Sequence, residues 1–364
     1  ANVERLATSL CKLRGAALKL GQMFSLSDNS LLPPAFGQIL DRVRNSADMM
    51  PISQMTKLLD QELGVDWRSR HFAAFNDVPL AAASIGQVHS AVLGENAREY
   101  GAQPGRQVAI KIQYPGVGDS IDSDINNLAT VLKLSGVLPK GLFLEKSLKI
   151  LGDELKQETD YVREATCQIK MKELLKDDPA IYIPDVIRHL STKRVLTSYL
   201  IHGITVEKIL AYDQETRNFV AERMLLLCLR ELFEFRFMQT DPNWANFLYD
   251  TKNKKIGLLD FGACQSYNKS FTKEYMKVVH GAAVNDTKAV LDGSIKMGFL
   301  TGFETQRMQD THVTAVMILG EPFRSEFNTT NGGYDFGGPM GLSLTTRIQE
   351  LIPLMLEERL APPP

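Results

Sequence analysis

Three short strings set residues with phosphate chemistry in a fixed order along the chain. Val108-Ala109-Ile110-Lys111 places a lysine in an apolar, β-branched run, where a strand can hold its ammonium out toward phosphate oxygens. In Asp241-Pro242-Asn243-Trp244-Ala245-Asn246 an aspartate is followed five residues later by an asparagine. Fourteen residues beyond Asn246 comes Asp260-Phe261-Gly262, at the end of the apolar stretch Ile256 to Leu259. A strand-end carboxylate beside an amide oxygen can hold magnesium, a cation that completes its shell with substrate phosphates and water. An aspartate just upstream can orient the attacking nucleophile. Alone, each string is weak, because a strand-end lysine is usually just solvated and Asp-Pro usually just turns the chain.

Together they follow the order and spacing of a protein-kinase-type phosphoryl-transfer site. Upstream of the lysine, Ala81-Ala82-Ala83-Ser84-Ile85-Gly86-Gln87-Val88 keeps the frame of a GxGxxGxV phosphate loop, with alanine in the first two glycine positions. Methyl groups there restrict how closely backbone amides approach phosphates, so the balance between ATP and ADP is expected to differ from that of a glycine loop. Ser198, Tyr199, Leu200 and Ile201 occupy the place where backbone groups of a hinge would hold adenine, although a plain strand edge describes them equally well. Two further departures bear on the acceptor. Gln239-Thr240 stands where a His-Arg pair would precede the catalytic-loop aspartate, and no APE string follows Gly262. A docking platform for peptides is therefore missing, and phosphorylation of proteins in trans is disfavoured.

The elements that must position these residues are legible from periodicity. Ser84 to Val92 and Gln107 to Gln113 read as a hairpin, with Gly101, Pro104 and Gly105 between them. A charged, leucine-rich run from Leu142 to Lys176 reads as helical, and Tyr182 to Val186 and Arg194 to Leu200 as short strands. Within the run, Glu158 and Glu164 are both candidates to pair with Lys111, and on one helix they would lie on different faces. Beyond Thr205 the pattern is helical, relieved by one strand-turn-strand element from Asn246 to Asp260. At the start of the chain Leu6, Leu10, Leu13, Ala17, Leu20 and Phe24 recur at steps of three and four, which predicts an amphipathic helix. Further helices are expected over Ala35 to Arg44 and Pro51 to Leu63. The expected domains are a helical extension over 1–71, a small mixed lobe over 72–201 and a helical lobe over 202–364.

Bulk properties add limits. At 364 residues, 44% hydrophobic and 23% charged, the chain can bury a substantial core, and its formal charge of -2 gives no global field for nucleic acid. The four cysteines form no CxxC pair and are expected to be reduced and mostly buried, and the six histidines have no metal-ligand spacing. The most apolar run, Met224 to Phe235, is broken by charges and is too short to span a bilayer. The chain opens in helix-like sequence with no charged leader, as a trimmed or mature core would.

The strings RGAALKLGQ, AAASIGQVH, KIQYPGV, ETDYVREA and MQTDPNWANF are more selective than the motifs above. Through them the chain resembles, nearly end to end, the UbiB/ADCK family of atypical protein-kinase-like proteins, and closely its mitochondrial coenzyme Q biosynthesis branch. The resemblance implies an α+β, bilobal protein-kinase-like fold with a small mixed N-lobe, a mainly helical C-lobe and an N-terminal helical extension over the active-site cleft. It assigns Lys19, Gly21 and Gln22 to a KxGQ element on that extension, Glu158 and Asp160 to an ExD motif facing it and the metal site, and Glu164 to pairing with Lys111. It also implies ATP or ADP with Mg2+ as cofactors and an ATPase or small-molecule kinase activity. A nucleotide-gated scaffold for coenzyme Q biosynthetic proteins is the alternative, and a protein kinase acting in trans ranks third. Expected partners are those biosynthetic proteins and a lipid or quinone-precursor surface at the matrix face of the mitochondrial inner membrane, with a homodimer left open.

Overall fold

In a computed structural model, residues 49–82, 85–135, 144–241, 243–325, 334 and 343–358 are described. The expected helices over 1–24 and 35–44 lie outside them. The described residues fall into two compact units, one taking in residues up to 128 with 150–266, the other 129–149 with those from 267 on.

In the first unit a five-stranded sheet is built from β1 (Phe72–Phe75), β2 (Ala81–Ala82), β3 (Gly86–Leu93) and β4 (Gln107–Gln113), joined after β5 (Ile181–Tyr182) by β6 (Val195–Tyr199). The order is β1-β3-β4-β6, with β2 also on β3, and every pairing is antiparallel. Strand β4 has the bounds its alternation predicts. Val108, Ile110 and Ile112 point to one face and are 0% exposed. They pack there with Leu93 and Phe72, with Met55, Leu58 and Leu59 of helix α1 (Ile52–Leu63), and with Trp67 of the short helix α2 (Trp67–His71). Each such side chain contributes roughly 1.5–3 kcal/mol by leaving water. The Trp67 indole N–H, buried with its ring, donates to Asp60 at 3.0 Å. Helix α1 stops at Gly64, whose φ of 93° favours glycine.

A long helix that periodicity did not reveal, α3 (Val117–Ser135), follows β4. The single helical run expected over 142–176 is two helices, α4 (Leu144–Glu158) and α5 (Tyr161–Leu174). They part at Asp160, whose carboxylate accepts the Arg163 backbone N–H at 3.0 Å and caps α5. Glu158 and Glu164 therefore belong to different helices rather than to two faces of one.

Further strands are β7 (Ile204–Thr205), β8 (Phe237–Gln239), β9 (Phe247–Asp250), β10 (Lys255–Leu258) and β11 (Cys264–Ser266). They form a four-stranded sheet, β5-β10-β9-β7, and a separate β8-β11 pair. The strand-turn-strand element over 246–260 is β9 and β10, whereas the other pairings are two or three residues long and carried no sequence period. The strand expected over 182–186 shrinks to β5 and an isolated bridge from Val186 to Ser198. Helix α6 (Gln214–Leu229) runs into a π-helical turn, Arg230–Phe235. One apolar cluster joins Cys167, Met171 and Leu175 of the α5 region to Tyr249, Ile256, Leu258 and Phe261. Of the described cysteines, Cys167 and Cys264 are buried and Cys228, on α6, is exposed.

The second unit holds α7 (Lys269–Ala283), α8 (Thr287–Lys296), α9 (Gln306–Gly320), α10 (Leu344–Gln349) and α11 (Ile352–Glu357). Asn268, Asp286 and Thr305 cap the first three through their side chains. Val278, Ala282, Val290 and Met297 form its core.

Candidate active site

Because the alternate residues of β4 fill the apolar core, Lys111 projects from the opposite face, with Val88 and Leu196 as its cross-strand neighbours. Its Nζ donates to both carboxylate oxygens of Glu164, at 2.8 and 2.9 Å, and to Asp260 Oδ2 at 3.0 Å, 149 residues away in sequence. The Lys111 Nζ also lies 5.1 Å from the centroid of the Tyr161 ring. Burial works against the ammonium, yet the negative charges of Asp260 and Glu164 outweigh it and hold Lys111 well above its ordinary pKa. Burial pushes the Glu164 carboxyl above the usual carboxylate range, and the Lys111 charge pulls it back. Glu164 is 1% exposed, so its charge depends on that ammonium.

The β9-β10 register sets Phe247 opposite Leu258, which brings the residues before β9 beside those after β10. Leu259 N–H accordingly donates to Asn246 O at 3.0 Å. The Asn246 Nδ2 donates to Asp241 Oδ2 at 3.1 Å, so the amide oxygen is the end of Asn246 turned to other work. Asp260 Oδ1 accepts the Gly262 N–H at 2.9 Å. Gln239 ties the two segments together: its Nε2 donates to Asp260 O at 2.9 Å, and its Oε1 accepts the Asp241 N–H at 3.2 Å. Lys111, Glu164, Asp260, Asp241 and Asn246 thus converge through direct hydrogen bonds and this one glutamine.

The segment from Asp260 onward is held by its carbonyls. Gln239 takes that of Asp260, Thr240 Oγ1 that of Ala263 at 2.7 Å, and Arg163 those of Gly262, at 2.6 Å, and Cys264. Phe261 is 0% exposed. Gln239 and Thr240 attracted notice in the sequence for what they replace, whereas here they do the holding. Arg163 carried no sequence signal, since its partners lie 99 and 101 residues away.

Ala81 and Ala82 form β2, both exposed, opposite Val88 and Gln87. Ala83, Ser84, Lys19, Gly21 and Gln22 lie outside the described residues. Gly86 has no room for a side chain: a Cβ would come within 2.4 Å of Ile112 O and 2.9 Å of the Tyr161 hydroxyl. Glu158 ends α4, and Asp160 is engaged as the cap of α5. Ser198 pairs with Ala109 and Tyr199 with Val108, and Leu200 N–H donates to Gln107 O at 3.0 Å. Ile201 lies against Gly257, where a Cβ would sit 2.9 Å from its Cγ2. Among the described residues no group of three His, Cys, Asp or Glu side chains could hold a metal. An amide oxygen from Asn246 and a carboxylate from Asp260 do suit magnesium, which takes few protein ligands and shares the rest with phosphates.

An antiparallel sheet bearing a lysine paired to a helix glutamate, followed by a loop and Asp-Phe-Gly segment tied side by side, is the arrangement of the protein-kinase-like class. A family model described as ABC1 atypical kinase-like domain matches residues 42–294. The chain belongs to that family. Across its whole length it is 52% identical to "Atypical kinase COQ8B, mitochondrial" of Danio rerio and 51% identical to that of Rattus norvegicus, spanning 55% and 66% of those relatives. It is 45% identical to "Atypical kinase COQ8, mitochondrial" of Saccharomyces cerevisiae, over 100% of this chain and 69% of that one. A solved structure of Rv3197 from Mycobacterium tuberculosis, in complex with erythromycin, aligns with 98% of this chain and 91% of its own at 25% identity and a TM-score of 0.58.

Proposed function

We propose that this chain binds a magnesium nucleotide at the Lys111 site and hydrolyses it, or passes its phosphate to a small molecule, in support of coenzyme Q synthesis in mitochondria. The observation that carries this reading is the joint hold of Glu164 and Asp260 on the Lys111 ammonium. With a nucleotide bound, Lys111 would hold phosphate oxygens while keeping Glu164, and Asn246 with Asp260 would hold magnesium. Asp241, steadied by Asn246, orients the attacking hydroxyl or water. Magnesium, when bound, screens the phosphate charges. The chain goes from Gly262 directly through β11 to α7 at Lys269, which favours turnover over phosphorylation of proteins in trans.

The same ion pair favours a second reading. Lys111 and Asp260 neutralise each other, so nucleotide must separate them, and binding alone could shift the elements that carry them. On that reading the protein is a nucleotide-gated scaffold for coenzyme Q biosynthetic proteins or lipid precursors at the matrix face of the inner membrane. The relatives' names, "Atypical kinase COQ8" and "mitochondrial", support the setting of both readings.

Asp260→Asn is expected to abolish magnesium-dependent nucleotide turnover in the purified chain, and unchanged turnover would remove the assignment. An Asp241→Asn variant that binds nucleotide and still supports synthesis points to the scaffold. Loss of synthesis with binding intact points to turnover.

A further inference from the structure

Tyr161 is the first residue of α5, next to the cap Asp160 and one turn before Glu164. It is 0% exposed, and its hydroxyl has no hydrogen-bond partner. A buried hydroxyl without a partner is costly, and phenylalanine would fill the same space without that cost. Nothing in the packing asks for the oxygen: the ring sits in an apolar cluster with Ile85 and Leu196, bordered by Val117, Ala165 and Val186.

The position of the oxygen is informative. It lies 2.9 Å from where a Cβ of Gly86 would be, beneath the last glycine position of the phosphate-loop frame. The same ring faces the Lys111 ammonium, with Nζ 5.1 Å from its centroid. Burial keeps the hydroxyl protonated well above the ordinary tyrosine range, so it is a lasting donor. A donor held between a phosphate-gripping lysine and the base of a phosphate loop is complementary to an anionic oxygen. Two of the carboxylates nearby, Glu164 and Asp260, are turned to Lys111.

We propose that the Tyr161 hydroxyl is a phosphate-binding donor of the nucleotide site, unsatisfied in the ligand-free protein and completed by a phosphate oxygen of the bound nucleotide. This rests on the nucleotide reading of the Lys111 site. Tyr161 is then a binding residue, distinct from the Lys111, Glu164 and Asp260 cluster and absent from the kinase-type motif set, which has no tyrosine before the helix glutamate.

The test is Tyr161→Phe, read by binding of ATP, ADP and adenosine in the presence of magnesium and by thermal unfolding without ligand. A hydrogen bond to a charged oxygen is worth about a tenfold change in affinity. The expected result is about tenfold weaker binding of ATP and ADP, adenosine binding unchanged, and a ligand-free melting temperature equal to or above that of the parent chain. Equal affinities for all three ligands in both proteins would overturn the proposal, as would an equal loss for adenosine, which marks a general disturbance of the pocket. If the parent chain binds no nucleotide, the reading of the Lys111 site falls first, and this inference with it.

Discussion

Strand β4 has one fully buried face and one that is only partly buried, and they differ in what burial does. On one, Val108, Ile110 and Ile112 enter a dry core and stabilise the sheet in proportion to the area they hide. On the other, Lys111 is 16% exposed and its partner Glu164 1%, and burial there costs free energy that only mutual pairing offsets. A second buried glutamate sharpens the contrast. Glu231, in the π-helical turn, has no ion pair among the described residues, its Oε1 has no hydrogen-bond partner, and burial pushes its carboxyl up to about 8. Burial raises Glu164 as well, to about 7, and the Lys111 charge offsets part of that rise. One face of β4 thus stabilises the sheet, and the other carries a buried charge that only pairing sustains.

The strongest way to break that comparison is to remove the ammonium. Lys111→Met leaves Glu164 buried without a cation and is expected to cost about 3–5 kcal/mol in denaturant unfolding at pH 8. The loss should shrink at lower pH, where Glu164 takes up a proton. Adding Glu164→Gln should restore most of the stability and none of the nucleotide turnover, and a double variant as unstable as the single one would contradict the pairing account.

On the opposite face, Ile110→Ala should cost about 2–4 kcal/mol by opening a cavity. The folded fraction should retain its nucleotide affinity. Equal damage to stability and affinity would show that the two faces are not separable.

Glu231 supplies a smaller, pH-dependent effect. Its folded pKa is raised to about 8 from 4.5, so between those values the folded chain keeps a proton that the unfolded chain has lost. Its contribution to stability therefore falls as pH rises from about 4.5 to about 8. Glu231→Gln should flatten that decline and stabilise the chain at pH 9 by about 1–3 kcal/mol. Parallel pH profiles for variant and parent would argue against a buried, unpaired carboxylate. Smallest of all, Ala81→Gly or Ala82→Gly, on an exposed two-residue strand, should cost less than about 1 kcal/mol. Each should still shift the relative affinity for ATP and ADP, which competition binding would register.

What the sequence disclosed follows the same division. Strand β4 was legible to its ends because alternating burial leaves a period of two, and the phosphate-chemistry strings stood out through residue type and order. The break between α4 and α5 was hidden, since Asp160 lies between runs of good helix formers and only its capping bond to Arg163 reveals it. Strands β8 and β11 are three residues each, too short for any period. The donors that hold the Asp-Phe-Gly segment, Arg163, Gln239 and Thr240, act on backbone carbonyls remote in sequence, and carbonyls leave no mark in a string of side chains. The orphan hydroxyl of Tyr161 was invisible for the same reason: a missing partner is a fact of packing.

The most direct test of the central claim is a crystal structure of the chain with magnesium and a non-hydrolysable ATP analogue. The account predicts Lys111 Nζ moved from Asp260 onto phosphate oxygens with Glu164 retained, and the cation between Asn246 and Asp260. A nucleotide bound elsewhere, with the Lys111–Asp260 pair still closed, would contradict it.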